Sequence, residues 1–451
     1  MSEEVNGNGV FKFGDTNSLE GRFNIELDVQ NPWDRSKNII IGEFDGIPPT
    51  EIINNDDLFY PWNFIGATSE GKEITGTNLA LKGTRTHYTE GEYNCNFEVS
   101  QLTIGELQEC EEFEFWIPNF IIGFDQSSEL PSGQRIRNKT YLNLEFRHEN
   151  FSVELTDASD SGHYSQETLN RKDDFISVKM IIKKESGPLT SDLATEVIDT
   201  LLDLYSIAYG WEVRWTNLLG YNNNQEVFHL IRKLPPGKLN PFRQLIHVKY
   251  PNHLTNFIQT SFPFYSDFDS DTKLSIRKLA ESIHLAGSTL TFPIPFIIIG
   301  SAIEEFVKNE LDDIDVNYIQ RLDRRRIYQD FKTFMQHHVH DLLSEEDQSD
   351  LFNDGTLHQK WTAMLQRNLR IRITRLLEKF EIDFNAEHIN RFVQKRNNAA
   401  HGSYEYSSSD YIIWSQMVAL LEKVLLKKLR YEGDYWDFST SPAEFKNITT
   451  R

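Results

Sequence analysis

The sequence predicts an α+β fold, in which an N-terminal antiparallel β-rich domain is followed by an all-α helical bundle. Short alternating apolar and polar runs recur from residue 10 to about residue 185, and such alternation is the pattern of half-buried strands. After Ser186-Gly187-Pro188 the apolar residues take a helical period, and from about residue 270 the chain is mainly helical. At 451 residues the chain exceeds the usual size of one hydrophobic core, so two or three domains are expected.

The predicted strands are short segments that alternate in polarity or are rich in β-branched residues. They cover residues 23–29, 141–146, 151–155 and 176–182. Turn signals separate them at Asp45-Gly46, Glu70-Gly71, Pro131-Ser132-Gly133 and Ser161-Gly162. Regular short strands with intervening turns predict a sandwich or a curved antiparallel sheet.

Helical periodicity predicts seven helices. The first begins at Ser191-Asp192, and the others cover residues 272–287, 297–311, 324–343, 359–380, 386–400 and 408–431. Asp383 or Asn385 is the expected cap of segment 386–400. Gly402 suits the left-handed turn that ends this helix, and the chain after Gly433 is expected to be irregular.

These changes in pattern divide the chain into four stretches. We expect a β-rich N-terminal domain over 1–187, a mixed middle region over 188–270, a helical domain over 271–435 and a tail over 436–451. The N-terminus has no basic or apolar signal region, and the longest apolar run, 292–299, contains two prolines and is too short to span a bilayer. A cytoplasmic protein without membrane contact is therefore expected, with Cys95 and Cys110 as reduced thiols.

The negative charge is concentrated in the N-terminal part of the chain. Residues 1–130 carry 7 Lys and Arg against 24 Asp and Glu, a net charge of −17 out of −22 for the whole chain. Residues 360–401 carry 9 basic against 4 acidic side chains, a net charge of +5. The acidic part either serves solubility or docks another protein. Because residues 360–401 are basic, a nucleic-acid partner is not excluded by the negative net charge of the whole chain.

The chain reads Lys395-Arg396-Asn397-Asn398-Ala399-Ala400-His401-Gly402 near its C-terminus. An arginine offers a planar fork for two phosphate oxygens, and a histidine can transfer a proton near neutral pH. Asn397 can orient either group or the ribose. These are the requirements for RNA cleavage by the 2′-hydroxyl, which needs no metal or other cofactor and leaves a 2′,3′-cyclic phosphate and a 5′-hydroxyl.

Helix geometry adds a constraint to this interpretation. Five residues of ideal helix turn by roughly 500°, which leaves Arg396 and His401 about 140° apart in projection. The helix therefore ends near Gly402 and frees His401, or two copies of the chain face each other and supply two histidines. We favour the second arrangement, which predicts an inactive monomer. Phosphate contacts are expected from Lys395 and from the basic side of segment 359–380, which carries Arg372, Arg375 and Lys379.

The string from Arg396 to Gly402 resembles the Rx4–6H signature of HEPN ribonucleases. The flanking segment 297–311, with Glu304 and Glu305, and the long closing helix agree with that family. The closest resemblance is to the ApeA-like HEPN group of bacterial anti-phage proteins, in which a β-rich domain precedes the nuclease. Segments 42–46 and 64–68 resemble parts of that domain.

This resemblance implies an endoribonuclease toxin that acts in abortive infection. The catalytic Arg and His of the family fall on Arg396 and His401, and its frequent polar residue falls on Asn397. It further implies a homodimer or higher homo-oligomer, RNA as the substrate with tRNA as one option, and a phage-derived protein as a possible trigger. The β-rich domain would restrain the nuclease or sense infection.

Two alternatives from other classes stay open. The chain can be a non-catalytic RNA-binding or scaffold protein with the same helical fold, or a sensor of a phage protein in which the helices form a dimer. Three other motifs were weighed. Arg277 and His284 form a second Arg-His pair, with six residues between them, which we assign to packing. A metal site is conceivable at the cluster of His337, His338, His340 and Asp341, although exposed helix histidines are commoner. The run Arg324-Arg325-Arg326 is a solvated helix start or an RNA contact.

Overall fold

The computed structural model describes most of the chain. The described residues are 2–13, 17–28, 39–45, 62–87, 92–98, 100–106, 109–129, 135–158, 176–232, 243–248, 250–289, 291–352, 355–440 and 442–449. They divide into two compact units, Met1–Asp267 and Phe268–Arg451. Among the helices of these described stretches, none combines the length and apolar character needed to cross a lipid bilayer.

The described part of the first unit contains one antiparallel sheet of fourteen strands, which confirms the predicted N-terminal β-sheet. The strands are β1 (Ser2–Phe13), β2 (Asn17–Asp28), β3 (Ile39–Asp45), β4 (Trp62–Thr68), β5 (Glu73–His87), β6 (Glu92–Glu98), β7 (Gln101–Ile104), β8 (Glu112–Pro118), β9 (Gln126–Glu129), β10 (Arg135–Phe146), β11 (Glu149–Asp157), β12 (Ile176–Lys184), β13 (Asn217–Asn222) and β14 (Gln225–Arg232). The sheet therefore continues past residue 187. The expected turns at Gly46, 131–133 and 161–162 lie outside the described residues.

The first six strands close into a ring, because β4 pairs with both β1 and β5. The order around the ring is β4–β1–β2–β3–β6–β5, and closure leaves these strands without a free edge. Its core is a cluster of buried apolar side chains, which includes Phe11, Phe23, Trp62, Phe64 and Phe97. Aromatic rings pack against one another there, with Phe11 and Phe64 centroids 4.6 Å apart.

The remaining strands continue from β5 as an open sheet in the order β7–β14–β13–β8–β12–β11–β10–β9. Burial alternates along β8, where Phe113, Phe115 and Ile117 are buried. The helices α1 (Ser191–Tyr209) and α2 (Pro251–Asp267) belong to the same unit, and α2 contacts α1 and β10. The cap of α1 is Thr190, which accepts a hydrogen bond from the Leu193 N–H, one position before the predicted Ser191.

The second unit is helical. Its described helices are α3 (Ser270–Thr289), α4 (Ile294–Glu310), α5 (Asp313–Val316), α6 (Arg321–His338), α7 (Glu345–Phe352), α8 (Thr356–Leu365), α9 (Leu369–Lys379), α10 (Ala386–Ala400) and α11 (Asp410–Lys428). Helix α4 lies at the centre, because it contacts α3, α9, α10 and α11. Its apolar side chains Ile299, Ile303 and Phe306 are fully or almost fully buried there.

Six of the seven predicted helices are confirmed to within a few residues. The prediction of one helix over 359–380 is wrong, because the chain breaks between α8 and α9. Asn368 caps α9 by accepting a hydrogen bond from the Ile371 N–H, and residue 366 forms a β-bridge with Asn317. The sequence pattern missed α2, α5 and α7.

The expectation of an irregular tail after Gly433 is also wrong. Residues Gly433–Asp437 (β15) and Glu444–Ile448 (β16) pair as an antiparallel hairpin. Asp437 is buried at the end of β15, where it binds Lys423 at 3.1 Å and Lys446 at 3.0 Å. Lysines from α11 and β16 therefore share one carboxylate, which ties the hairpin to the closing helix.

Candidate active site

Helix α10 carries Arg396 and ends immediately before His401. Its cap is Asn385, which accepts a hydrogen bond from the Glu387 N–H at 2.9 Å, so the second of the two predicted caps is confirmed. Ile389 and Phe392 are buried and fix the face that α10 turns to the helical core. The helix ends as predicted, because Gly402 takes a left-handed φ of +71°.

Arg396 reaches across to helix α4 and forms an ion pair with Glu304. Its Nη2 lies 2.9 Å from Glu304 Oε2, and the side chain keeps 21% exposure. Its Nη1 donates a hydrogen bond to Asn397 Oδ1 at 3.3 Å. Because a guanidinium has five N–H donors, the group stays able to bind an anion while Glu304 and Asn397 hold its orientation.

Gly300 makes room for the Arg396 side chain on α4. A β-carbon at position 300 would lie 2.7 Å from Arg396 Cγ and 3.0 Å from its Nε. Real β-carbons do not approach other atoms so closely, so any larger residue would displace the arginine. Gly300 and Glu304 stand one helical turn apart on α4. Gly300 leaves space for the aliphatic part of the Arg396 side chain, and Glu304 binds its guanidinium.

Glu304 also binds Arg372 of α9. The Arg372 Nη2 lies 3.4 Å from Glu304 Oε1, and the Arg372 residue is buried. Burial lowers the pKa of the Arg372 guanidinium, although Glu304 acts in the opposite direction. Two guanidinium groups against one carboxylate leave an excess of positive charge at this place. Arg372 was predicted to share one basic side with Arg375 and Lys379, but it is buried, whereas those two are half exposed. Its role in substrate binding stays a prediction.

The predicted partners of Arg396 are both exposed. The Asn397 side chain accepts the hydrogen bond from Arg396 and otherwise faces solvent. His401 is exposed, and among the described residues its ring has no hydrogen-bond or ion-pair partner. Its backbone N–H donates to the Asn397 carbonyl at 3.0 Å and thereby closes the last turn. The imidazole is therefore accessible to a substrate and to a second copy of the chain.

Lys395 lies in a network that fixes the loop after His401. Its Nζ lies 2.9 Å from Asp410 Oδ1 and donates to the Glu405 carbonyl at 2.8 Å. Asp410 is fully buried at the start of α11 and also accepts hydrogen bonds from the Tyr404 hydroxyl and the Ser407 N–H. Burial alone raises the pKa of the Asp410 carboxyl, but these hydrogen bonds outweigh it, and the pKa stays below its usual value.

Arg375 and Lys379 remain at the surface of α9, each beside an acidic residue. Arg375 lies 3.4 Å from Glu378 and 3.9 Å from Asp315. Lys379 lies 3.9 Å from the buried Glu310 carboxylate and donates to the Glu310 carbonyl. Both side chains keep about half of their exposure. They can therefore contact a phosphate at modest cost, whereas Lys395 would have to leave Asp410.

Two other sequence motifs take ordinary structural positions. His284 of the second Arg-His pair is buried in α3, and His337 and His338 are exposed at the end of α6. Across the described residues, no three His, Cys, Asp or Glu side chains gather in an arrangement that could hold a metal ion.

Comparison of the chain with protein-family models, with curated proteins and with solved structures found no match.

Sequence reasoning identified Glu304 as a flanking residue but missed its role, and it missed Gly300 entirely. The signal that could have found them was their spacing of four in a helix otherwise rich in isoleucine and phenylalanine. A glycine costs about 1 kcal/mol in a helix interior, so its presence there points to a close approach by another side chain. The sequence did not indicate that Arg396 is the side chain that approaches Gly300, because the two residues lie nearly a hundred positions apart.

Proposed function

We propose that the helical unit is a metal-independent endoribonuclease whose catalytic residues are Arg396 and His401, with Asn397 as an orienting residue. One observation carries the proposal. Glu304 holds Arg396, whose guanidinium is partly exposed and keeps free N–H donors. The His401 imidazole follows at the end of the same helix, where it is exposed and has no partner among the described residues. The likeness of the string 396–402 to the HEPN signature supports the same function.

The proposed reaction is transesterification at one phosphodiester. His401 of one protomer accepts the proton of the 2′-hydroxyl as the 2′-oxygen attacks phosphorus. The bond from phosphorus to the 5′-oxygen breaks, and a second imidazole supplies the proton to that oxygen. Arg396 stabilises the charge that develops on the phosphorane oxygens. The products are a 2′,3′-cyclic phosphate and a 5′-hydroxyl.

The experiment is cleavage of total RNA by the purified protein in EDTA, with tRNA as the first defined substrate. We expect His401→Ala and Arg396→Ala each to lower the rate by about a hundredfold or more, because each removes a group that acts in the transition state. Arg391→Ala is the matched control, since Arg391 lies on α10, is exposed and forms a local pair with Glu387 at 2.9 Å. Its rate should stay within about twofold of the unmodified protein.

The alternatives predict different results. A non-catalytic RNA-binding or scaffold protein retains RNA in a filter-binding assay but produces no fragments at any concentration. Fragments that appear equally with His401→Ala and the unmodified protein would assign the cleavage to a contaminant. Either result would remove the proposed enzyme function.

We propose that the active form contains two copies of the chain. The support is geometric, because the two proton transfers need two groups and an ideal helix leaves Arg396 and His401 about 140° apart in projection. Cleavage per protein should then fall on dilution in parallel with dissociation of the dimer, measured by sedimentation velocity. A monomer that retains full activity would contradict this arrangement.

The proposed biological role is that of a toxin in phage defence. It rests on the likeness to the ApeA-like group. Bacteria that express the chain should reduce phage plating, and the His401→Ala variant should not. Equal protection by both proteins would separate the role in defence from RNA cleavage and would favour a sensor function.

A further inference from the structure

A cavity of about 430 Å³ lies between α6 and α8 in the helical unit. Its lining includes Arg321, Arg324, Arg325, Tyr328, His358 and Trp361. The cavity has the size of a site for a small ligand, which is typically about 300–1,000 Å³. None of these residues contributes to the proposed active site, so the cavity raises a separate question of what it binds.

One side of the cavity is strongly basic. Arg324 is fixed by Asp313, with 2.6 Å between Nη2 and the carboxylate. Arg321 and Arg325 are exposed, and among the described residues neither has an acidic partner. Arg321 stands in the first turn of α6, where free backbone N–H groups also favour an anion, and Arg324 and Arg325 follow it in the helix. This side therefore suits a phosphate group.

The other side of the cavity is formed by aromatic side chains, and packing against neighbouring rings restricts their orientation. Trp361 is only 9% exposed, and Phe331 stacks on it with centroids 4.7 Å apart and an interplanar angle of 25°. Tyr328 meets His358 edge to face at 4.9 Å. Such rings offer stacking surfaces for a planar heterocycle.

Trp361 also carries an unsatisfied polar group. Its indole Nε1–H is buried and has no acceptor among the described residues. Buried donors are almost always satisfied in native proteins, and an exception requires an explanation. A ligand with an acceptor atom at the wall of the cavity would supply the missing partner after a small rotation of the ring.

We propose that this cavity binds a nucleoside phosphate. Arg321 and Arg325 hold the phosphate, the base packs on the wall formed by Tyr328 and Trp361, and an oxygen or nitrogen of the ligand accepts from the Trp361 Nε1–H. The ligand is either a free mononucleotide or one nucleotide unit of a single RNA strand, since both present the same chemistry. The site does not depend on RNA cleavage by Arg396 and His401.

The test is calorimetric titration of the full-length His401→Ala protein with AMP, GMP, CMP and UMP, and with adenosine and inorganic phosphate for comparison. The mononucleotides have no internucleotide bond to cut, and the substitution removes the proposed catalytic imidazole, so the result is independent of any cleavage. We expect at least one mononucleotide to bind at micromolar to millimolar concentration and about tenfold more tightly than adenosine or phosphate alone. The absence of measurable binding by every mononucleotide at about 5 mM would overturn the proposal.

Variants locate the binding site. Arg325→Ala should weaken nucleotide binding by about tenfold, because it removes a charged phosphate contact. Trp361→Phe keeps an aromatic ring but removes the N–H, and should weaken binding by about threefold. Arg326→Ala is the matched control, because Arg326 adjoins Arg325 but pairs with Asp323 at 3.5 Å and does not line the cavity. Equal losses with Arg325→Ala and Arg326→Ala would contradict the site and indicate nonspecific attraction.

A competition experiment distinguishes the two sources of the ligand. A short single-stranded RNA that displaces the nucleotide, and that loses this ability in Arg325→Ala, identifies a strand-binding subsite. An RNA that leaves the nucleotide bound identifies a site for free nucleotides. Both arms use only binding, so the outcome stands whether or not the chain cuts RNA.

Discussion

The helical unit contains two Arg-His pairs of similar spacing, which differ in burial and in the partners of their arginines. Arg277 and His284 lie within α3, where Arg277 forms a loose local pair with Glu281 at 4.0 Å. His284 is only 8% exposed, and burial lowers its pKa to about 4. Arg396 is instead held by a carboxylate from another helix, and His401 stands in solvent beyond the end of α10.

The two pairs show that residue types and their spacing do not define the site. A buried imidazole with a pKa near 4 is neutral at pH 7 and cannot reach a substrate, so the pair in α3 serves packing. The pair around α10 differs by two structural features, namely a helix end that frees the histidine and a partner helix that holds the arginine. Both features can be tested by substitution.

The largest effect is expected from Glu304→Ala, which removes the residue that positions Arg396. Misplacement of a reacting group by about 1 Å can cost about a hundredfold in rate, and we expect a loss of this order in RNA cleavage. Glu304→Gln keeps a hydrogen-bond acceptor and should recover part of the rate. The thermal midpoint of each variant should be measured alongside.

Glu305→Ala is the control for this prediction. Glu305 adjoins Glu304 but binds Lys278 at 2.6 Å on the exposed side of α4. Equal loss of activity in both variants would show that α4 matters for stability and not for the placement of Arg396.

The second prediction concerns the buried histidine. The pKa of histidine in an unfolded chain is about 6.5, and that of folded His284 is about 4, so the unfolded chain binds more protons between these values. Stability is therefore fully present above about pH 6.5 and falls as the pH drops towards 4. At pH 5 the loss from His284 is about 2 kcal/mol.

Urea unfolding at pH 7 and pH 5 measures this loss. His284→Leu should reduce the difference between the two conditions by about 2 kcal/mol. Part of the difference persists in every variant, because burial also lowers the pKa of His229 in the first unit to about 4. An unchanged difference in the His284→Leu protein would contradict the burial of a neutral His284.

The third prediction is a loss of about tenfold in cleavage from Gly300→Ala. The added β-carbon lies within contact distance of the Arg396 stem and pushes the guanidinium away from Glu304. Alanine is otherwise the better helix residue by about 1 kcal/mol, so activity and helix propensity are expected to move in opposite directions. Ser301→Ala at the exposed neighbouring position should leave cleavage unchanged; full activity of Gly300→Ala would show that Arg396 does not need its observed path.

The smallest effect is expected from Gly402→Ala. Gly402 has φ +71°, and a β-carbon added there would meet no heavy atom within 4 Å, so the cost is backbone strain of about 1 kcal/mol. Gly355 has φ +77° and equally open surroundings, so Gly355→Ala should cost the same stability. Only Gly402→Ala should also lower the rate of cleavage, by a few-fold, because Gly402 adjoins His401. Equal rates for both variants would show that the conformation at the end of α10 does not affect cleavage.

The features that were predictable from the sequence are local ones. The alternation in residues 151–155 and the boundaries of α10 follow from periodicity and capping chemistry, and both are confirmed. The break before α9 was missed, because Asn368 competes with a continuous helical pattern only when segment 316–318 supplies backbone partners. The hairpin after Gly433 was missed for a similar reason, since Asp437 requires lysines from two other elements.

The candidate site was predictable only in part. The string from Arg396 to His401 identified both proposed catalytic residues. The sequence could not place Arg372 in the interior beside Glu304, because both charged residues also fit an exposed helix face. Pairing of charged residues that lie far apart in the sequence leaves no periodic pattern, so the contacts of Gly300 and Glu304 with Arg396 were found only in the structure.

The most direct test of the proposed chemistry is the identity of the RNA ends produced in EDTA. We predict fragments with a 2′,3′-cyclic phosphate and a 5′-hydroxyl, formed by the unmodified protein and by Arg277→Ala but not by His401→Ala or Arg396→Ala. Fragments with a 3′-hydroxyl and a 5′-phosphate, or cyclic ends that persist when His401 is replaced, would contradict it.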